Sequence, residues 1–283
     1  MSRIYLGLWA MGDSKGFHEE KDPRTAKNEI KDAWRSGIRA FDTAFSYNTD
    51  SLLYSALREL GVRTDETEII EKIMPVPTLR KKAEASLRAL HSEKVSHLLI
   101  HWPADAAMLF PSLREAEKLM DEGKAEHIGI SNFPAELASM VRNDFDITMH
   151  ERAYSPVWIR DEEKEKLPLT LYGIFGFGTL FHRDRPSDER GKLYMYSCPE
   201  EWNALNDEIE RIASLHDTTK AAVLFSFAER RSDAIIVGTG CRDYLSSGFT
   251  LSDGEHASLM MKALALDAKA PSDNIFDHNW RNH

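Results

Sequence analysis

Cysteine is nearly absent from this chain, with two residues, Cys198 and Cys241, among 283. That is too few for a disulfide framework, and it fits a reducing compartment. Long apolar runs are absent too. No stretch of about 18 uninterrupted apolar residues occurs, and the opening MSRIYLGLW holds no extended apolar segment of the kind that directs secretion. No membrane contact is expected, and a cytoplasmic location is. Positive charge is in deficit: 36 Lys and Arg against 46 Asp and Glu leave a net charge of -10. Such a balance argues against a general binder of phosphate backbones, so no nucleic-acid partner is expected; a small anionic cofactor held by local groups stays compatible. Metal-ligand spacing is missing as well. His101, His127 and His150 lie near strand segments, but there is no His-x-His pair and no carboxylate at ligand spacing, and His127 begins its strand at the wrong end for a site. A metal-dependent hydrolase is therefore disfavoured and no metal is expected. Linkers, low-complexity tracts and sharp repeats are also lacking.

What is present is alternation. Short apolar runs that read as strands, Arg3–Trp9, Ile38–Asp42, Glu68–Ile73, Val95–Ile100 and Ala125–Ile130, alternate with segments of helical spacing. Those segments are Arg24–Ser36, a helix near Ser51–Leu60, Thr78 to His91, and about Ser112 to Glu122, with Gly37, Gly61 and Gly123 at helix ends. A short helix over Pro134–Asn143 and a strand near Ile147–Glu151 continue the rhythm. It then falters, because only the charged run Asp161 to Lys166 stands where a full helix belongs. A seventh strand, Leu169–Phe175, leads into Gly176-Phe177-Gly178, and Arg183 to Pro199 reads as a long loop. Helices over Glu200–His216 and Thr218–Arg231, an eighth strand Ala234–Gly238 and a helix from Ser252 to about Ala265 complete the chain. Eight strand–helix units imply an α/β fold, one (β/α)8 barrel forming a single catalytic domain over residues 1–283.

In such a barrel the strand ends meet at one mouth, so residues distant in sequence converge. Asp42, Lys72 and His101 stand at or just past successive strand ends, and Tyr47 follows Asp42 in the loop. A phenol with an ordinary pKa near 10 is a poor proton donor at neutral pH. An ammonium from Lys72, kept charged by Asp42, would lower that value, and His101 could donate to a substrate carbonyl while Tyr47 protonates the developing alkoxide. The set is the acid half of a carbonyl reduction. Trp9, Phe45 and Trp102 are placed as a substrate pocket at the mouth, whereas Phe110 and Trp158 read as helix cover.

The motifs "GIRAFDTAFSY", "IIEKI", "LLIHWP", "DEGKAEHIGISNF" and "YGIFGFGTL", with a weaker "IIVGTG", resemble those of the aldo-keto reductase family over nearly the whole chain. The resemblance implies reduction of an aldehyde or ketone, or the reverse oxidation of an alcohol, with NADPH/NADP+ as cofactor and NADH possible. It assigns the catalytic roles to Asp42, Tyr47 as acid, Lys72 and His101. It places Ser131 and Asn132 at the nicotinamide carboxamide and Tyr172 against the nicotinamide ring, with Leu8, Trp9, Phe175, Gly176, Gly178, Gly238, Thr239, Gly240 and Arg242 along the cofactor. Three departures from the family pattern stand out. Glu151 occupies the position of a glutamine that contacts the carboxamide, and a carboxylate there accepts but does not donate. Gly238 and Tyr244 replace the usual lysine and arginine around the adenosine 2′-phosphate, leaving Arg242 as the nearby cation. Ser247 and Gly248 replace a Glu-Asn pair near the adenine. The competing reading is a non-catalytic regulatory protein that keeps the fold and binds the nucleotide.

Overall fold

The computed structural model of the protein describes residues 3–12, 21–159, 167–184, 189–238 and 248–269. Eight parallel strands close into a barrel in chain order: β1 Arg3–Gly7, β2 Ala40–Asp42, β3 Glu68–Ile73, β4 Val95–Ile100, β5 Ala125–Ser131, β6 Ile147–Ala153, β7 Leu169–Tyr172 and β8 Ala234–Val237. β8 returns to β1 with Arg3 opposite Ala234 and Tyr5 opposite Ile236, so no edge is left unpaired. The helices are α1 Pro23–Arg35, α2 Asp50–Glu59, α3 Leu79–Leu90, α4 Ala106–Asp121, α5 Ala135–Asp144, α6 Glu189–Ser197, α7 Pro199–Leu215, α8 Lys220–Glu229 and α9 Asp253–Lys269.

Side chains alternate between the two faces of each strand. Tyr5, Ala40, Ile70, Leu99, Met149, Ala234 and Ile236 form one buried cluster, the barrel interior. The outer faces join the helices in a much larger core that includes Phe41, Ile69, Ile73, Leu98, Ile100 and Leu171. Two residues beyond Ala40, Ile70, Leu99 and Met149, on the same inward face, come Asp42, Lys72, His101 and Glu151. An apolar plug thus fills the barrel, and a polar layer caps it at the carboxyl ends of the strands. The intervening residue Glu71 faces outward and accepts from the Ser86 hydroxyl of α3 at 3.0 Å, so it is no partner of Lys72.

Several expected boundaries differ. β1 ends at Gly7, and Trp9 belongs to a short 3-10 turn, Trp9–Met11. β7 ends at Tyr172 rather than Phe175, because Gly173 turns the chain at φ 67°. α4 starts at Ala106 rather than Ser112: Asp105 caps it by accepting the Met108 N–H at 3.0 Å, and the helix continues through Pro111. The segment read as a loop contains α6. Its apolar residues Leu193, Tyr194 and Met195 are consecutive and show no helical period. The helix is held instead by the buried Tyr194, whose hydroxyl donates to the Val157 carbonyl at 3.2 Å. The charged run 161–166 lies outside the described residues, as does Cys241; Cys198 is a buried free thiol. Among the described residues no helix is long and apolar enough to cross a membrane.

Candidate active site

Lys72 is the centre of the polar layer. It is fully buried, donates to Asp42 Oδ1 on β2, and lies 3.2 Å from Glu151 Oε2 on β6. Burial works against its ammonium, but Asp42 and Glu151 together outweigh that and hold its pKa above the ordinary lysine value. The carboxyls feel the reverse. Burial is the largest influence on both and raises both, with Lys72 opposing. The repulsion of Asp42 adds to burial at Glu151, which is pushed up to about 8. The expectation that Glu151 only accepts meets an opposing influence: burial and the Asp42 charge both favour its protonated form, which donates as well as accepts.

Tyr47 reaches the same layer from the turn Phe45–Tyr47 after β2. Its hydroxyl oxygen is 3.4 Å from His101 Nε2, and the two rings meet edge to face at 5.6 Å and 78°. Lys72 Nζ lies 5.3 Å from the centre of the Tyr47 ring. Here too a sequence expectation needs correction. Lys72 does act to lower the Tyr47 pKa, but desolvation of the phenol is the larger influence, and the net shift is upward. Tyr47 is thus a firmly protonated phenol in the resting site.

The turn that presents Tyr47 is fixed in ways the sequence motif did not show. Thr43 Oγ1 and Thr49 Oγ1 are hydrogen-bonded at 2.7 Å beneath it, and Thr43 also donates to Asp50 Oδ1 at 3.2 Å. Asn48 ends the turn in the left-handed region at φ 57°. Gly12, from the loop after β1, packs so closely that a Cβ there would lie 1.9 Å from the Tyr47 carbonyl oxygen. Only the short spacing of Thr43 and Thr49 across the motif hinted at this support.

Asn132, Tyr172 and Trp102 gather beside this group. Asn132 sits just past β5 at φ 65°, and its amide donates to the His101 carbonyl at 3.0 Å and to Ser131 Oγ at 2.9 Å. Its Oδ1 accepts the Tyr172 hydroxyl at 2.6 Å. Tyr172 is half-buried, and its ring stands edge-on to Phe177 at 6.1 Å. The β7 loop turns through Gly176 at φ 61° and Gly178 at φ 88°, with Phe175 against Phe181. Trp102 is half-buried, 6.4 Å from the His101 ring; Phe45 is half-buried under the Lys82 ammonium; Trp9 is 38% exposed. Phe110 packs against Phe145, and Trp158 is buried in a short bridge with Ser155.

The Leu8 side chain is fully buried in the outer core, and its N–H donates to the Asp42 carbonyl at 2.9 Å. Gly238 is exposed at the end of β8. Thr239, Gly240 and Arg242 lie outside the described residues, together with Tyr244 and Ser247. His150 is a buried core histidine that accepts the Phe133 N–H at 3.2 Å, and among the described residues no cluster of three or more His, Cys, Asp or Glu side chains could hold a metal.

Residues 3–253 match the model of the aldo/keto reductase family. The chain belongs to that family. Among curated aldo/keto reductases it is 28% identical over 250 residues to methylglyoxal reductase DkgB of Salmonella typhimurium, covering 85% of this chain and 83% of that one. It is 25% identical over 318 residues to the NADPH-dependent D-xylose reductase of Meyerozyma guilliermondii, covering 98% and 94%. A solved glycerol dehydrogenase of Gluconobacter oxydans shares the fold with a TM-score of 0.79 at 23% identity, over 96% of this chain and 94% of that one. The aldo/keto reductase fold and the oxidoreductase class are thereby fixed.

The residues present fit a nicotinamide. Both N–H groups of Asn132 are taken by the protein, which leaves a lone pair on its Oδ1 for a carboxamide N–H. The buried Ser131 hydroxyl receives one of those bonds and keeps its own proton to donate. Glu151 Oε2 is a buried oxygen with no aligned hydrogen bond, in ion-pair reach of Lys72.

Proposed function

We propose that this protein reduces a small aldehyde or ketone to the alcohol, with hydride from NADPH and the proton from Tyr47. The observation that supports this most is the approach of the Tyr47 hydroxyl to His101 Nε2 at 3.4 Å, on top of a buried Lys72. A carbonyl oxygen seated between these two groups accepts hydrogen bonds from both, which draws electron density from the carbon that receives hydride. Hydride adds to carbon, the C=O π pair moves to oxygen, and that oxygen takes the Tyr47 proton. The phenolate left behind is stabilised by the Lys72 ammonium and regains its proton from solvent. Asp42 keeps Lys72 charged and in place. Burial keeps the proton on Tyr47 until an alkoxide, a far stronger base, forms beside it.

NADPH supplies the hydride when bound. Ser131, Asn132 and Glu151 would hold its carboxamide, Tyr172 would flank the ring, and the glycine turns of the β7 loop would line its path outward. The choice of NADPH over NADH is supported by the name of the xylose reductase relative. Trp9, Phe45 and Trp102 form an aromatic rim suited to a small carbonyl compound with an apolar face, and the relatives named for methylglyoxal and xylose act on small aldehydes.

The test is Tyr47→Phe in a steady-state assay of NADPH oxidation with a panel of aldehydes. Turnover falls by roughly 10²-fold or more, the scale of lost acid–base help, while cofactor affinity measured by titration stays close to wild type. A folded variant with full turnover would refute the proposal. A wild type that binds NADPH but turns over no carbonyl compound would favour the regulatory, non-catalytic reading.

A further inference from the structure

Two carboxyls face one ammonium inside the barrel mouth. Lys72, Asp42 and Glu151 are each less than 5% exposed. Were both acids ionised, the group would hold a net negative charge away from water, a costly arrangement; one retained proton makes it neutral. The geometry says which acid retains it. Asp42 takes the direct hydrogen bond from Lys72, whereas Glu151 Oε2 stands 3.2 Å from Nζ without the alignment of a hydrogen bond, and the Glu151 and Asp42 carboxyls are hydrogen-bond partners of one another, a contact that needs one retained proton. Nor does a neighbouring strand offer a charge to compensate. Opposite Glu151 stand Ser131 on β5 and Thr170 on β7, neither of them ionisable. Among the described residues, the titratable and charged groups around Glu151 are Asp42, Lys72, Tyr47, His101 and Tyr172, with Lys82 further out over Phe45.

We propose that Glu151 is a positioning residue that works as a neutral carboxylic acid, and that its ionisation switches the site off. With Glu151 neutral, Lys72 is balanced by Asp42 alone, and its field acts on the Tyr47 oxygen as negative charge develops there. The neutral acid also has the donor and acceptor pattern of an amide, so it presents an O–H toward a carboxamide or toward Asp42. Once ionised, Glu151 places a second negative charge against Lys72. The ammonium's effect at Tyr47 is then cancelled, and the phenolate that must form in each turnover meets two carboxylates instead of one. The burial and the neighbouring Asp42 that hold Glu151 up to about 8 set where this happens.

The inference rests on the reduction proposed above, and its test separates the two. The pH profile of kcat/KM for carbonyl reduction is measured for wild type and for Glu151→Gln, with Glu151→Ser as a second variant that cannot titrate. Wild type loses activity above a midpoint near pH 8, about tenfold per pH unit. In the variants that limb moves up by more than a unit, toward the titration of Tyr47 itself. Infrared difference spectra of the protein without cofactor give a second reading: the C=O stretch of a neutral carboxylic acid, present at neutral pH, fades with the same midpoint in wild type, and this fading component is missing in Glu151→Gln. A variant that keeps the wild-type limb, a wild type with no fall near pH 8, or spectra unchanged by Glu151→Gln would each overturn the inference. If Tyr47→Phe abolishes turnover while the limb stays put in the variants, only the role of Glu151 fails. Full turnover by Tyr47→Phe would instead remove the reduction mechanism, while the spectra still report on Glu151.

Discussion

Replacing Lys72 by Met would expose how the polar layer is held together. Methionine fills nearly the same length but removes the charge that Asp42 and Glu151 share. Breaking a buried ion pair by deleting one partner costs roughly 3–5 kcal/mol, because the remaining charge is left unpaired in a low dielectric. That cost depends on pH in a definite direction. Without Lys72, Asp42 must also become neutral in the folded state, so its folded pKa, already raised by burial in wild type, climbs further above the unfolded value of about 3.9. A carboxyl shifted this way favours the folded state at low pH, and the advantage is lost as pH climbs toward the raised folded value. Glu151 already behaves so in wild type, with a pKa raised to about 8. The variant therefore carries one additional proton, and the stability gap between variant and wild type grows by about 1.4 kcal/mol per pH unit between pH ~5 and ~7. Urea unfolding at both pH values measures this. The variant should be a few kcal/mol less stable near neutrality and much closer to wild type at the lower pH, and adding Asp42→Asn should recover most of the loss and flatten its pH dependence. A loss that is the same at both pH values, or no loss at all, would refute a buried charge cluster centred on Lys72.

Other consequences are simpler to state. Gly12→Ala puts a Cβ 1.9 Å from the Tyr47 carbonyl oxygen, so the Tyr47 turn must shift: kcat should fall by tenfold or more, with a stability loss of about 1–3 kcal/mol by denaturant unfolding, and an unaltered kcat would show that the turn gives way harmlessly. His101→Ala should lower kcat/KM more than His101→Gln, since glutamine keeps a donor near Tyr47; equal activities at equal stability would reduce His101 to packing. Arg242→Ala should weaken NADPH binding by roughly tenfold or more, the scale of one charge-assisted hydrogen bond, and leave NADH nearly untouched in isothermal titrations; an equal effect on both would move the phosphate elsewhere.

The fold was legible because strand and helix differ in period, and because buried parallel strands such as Glu68–Ile73 and Val95–Ile100 show as compact apolar runs. The convergence of Asp42, Lys72 and His101 was legible for a related reason. Each sits at or just past the end of such a run, and in a closed parallel barrel all those ends share one mouth. What failed were elements that tertiary contacts define. α6 has no amphipathic pattern and is held by Tyr194 and Cys198 buried against the rest, and the early start of α4 depends on Asp105 as cap, ahead of a proline that a local reading does not place inside a helix.

Glu151 shows most clearly why a residue's identity does not fix its chemistry. Read along the chain, it is a carboxylate where the family resemblance implies an amide, and so a lost donor. In the barrel it stands within reach of a lysine that is already committed to Asp42 and is closed off from water. Its proton affinity is then raised by burial and by Asp42, from a strand four positions away in the barrel order, and in the protonated form the side chain is chemically closer to an amide than to a carboxylate. The same logic reverses the expectation for Tyr47. A neighbouring ammonium lowers a phenol's pKa only to the extent that its field is not already spent on carboxylates and not outweighed by desolvation. Which groups share Lys72, and in what protonation state, is thus the property that decides how readily Tyr47 gives up its proton, and it belongs to the closed barrel rather than to any one motif.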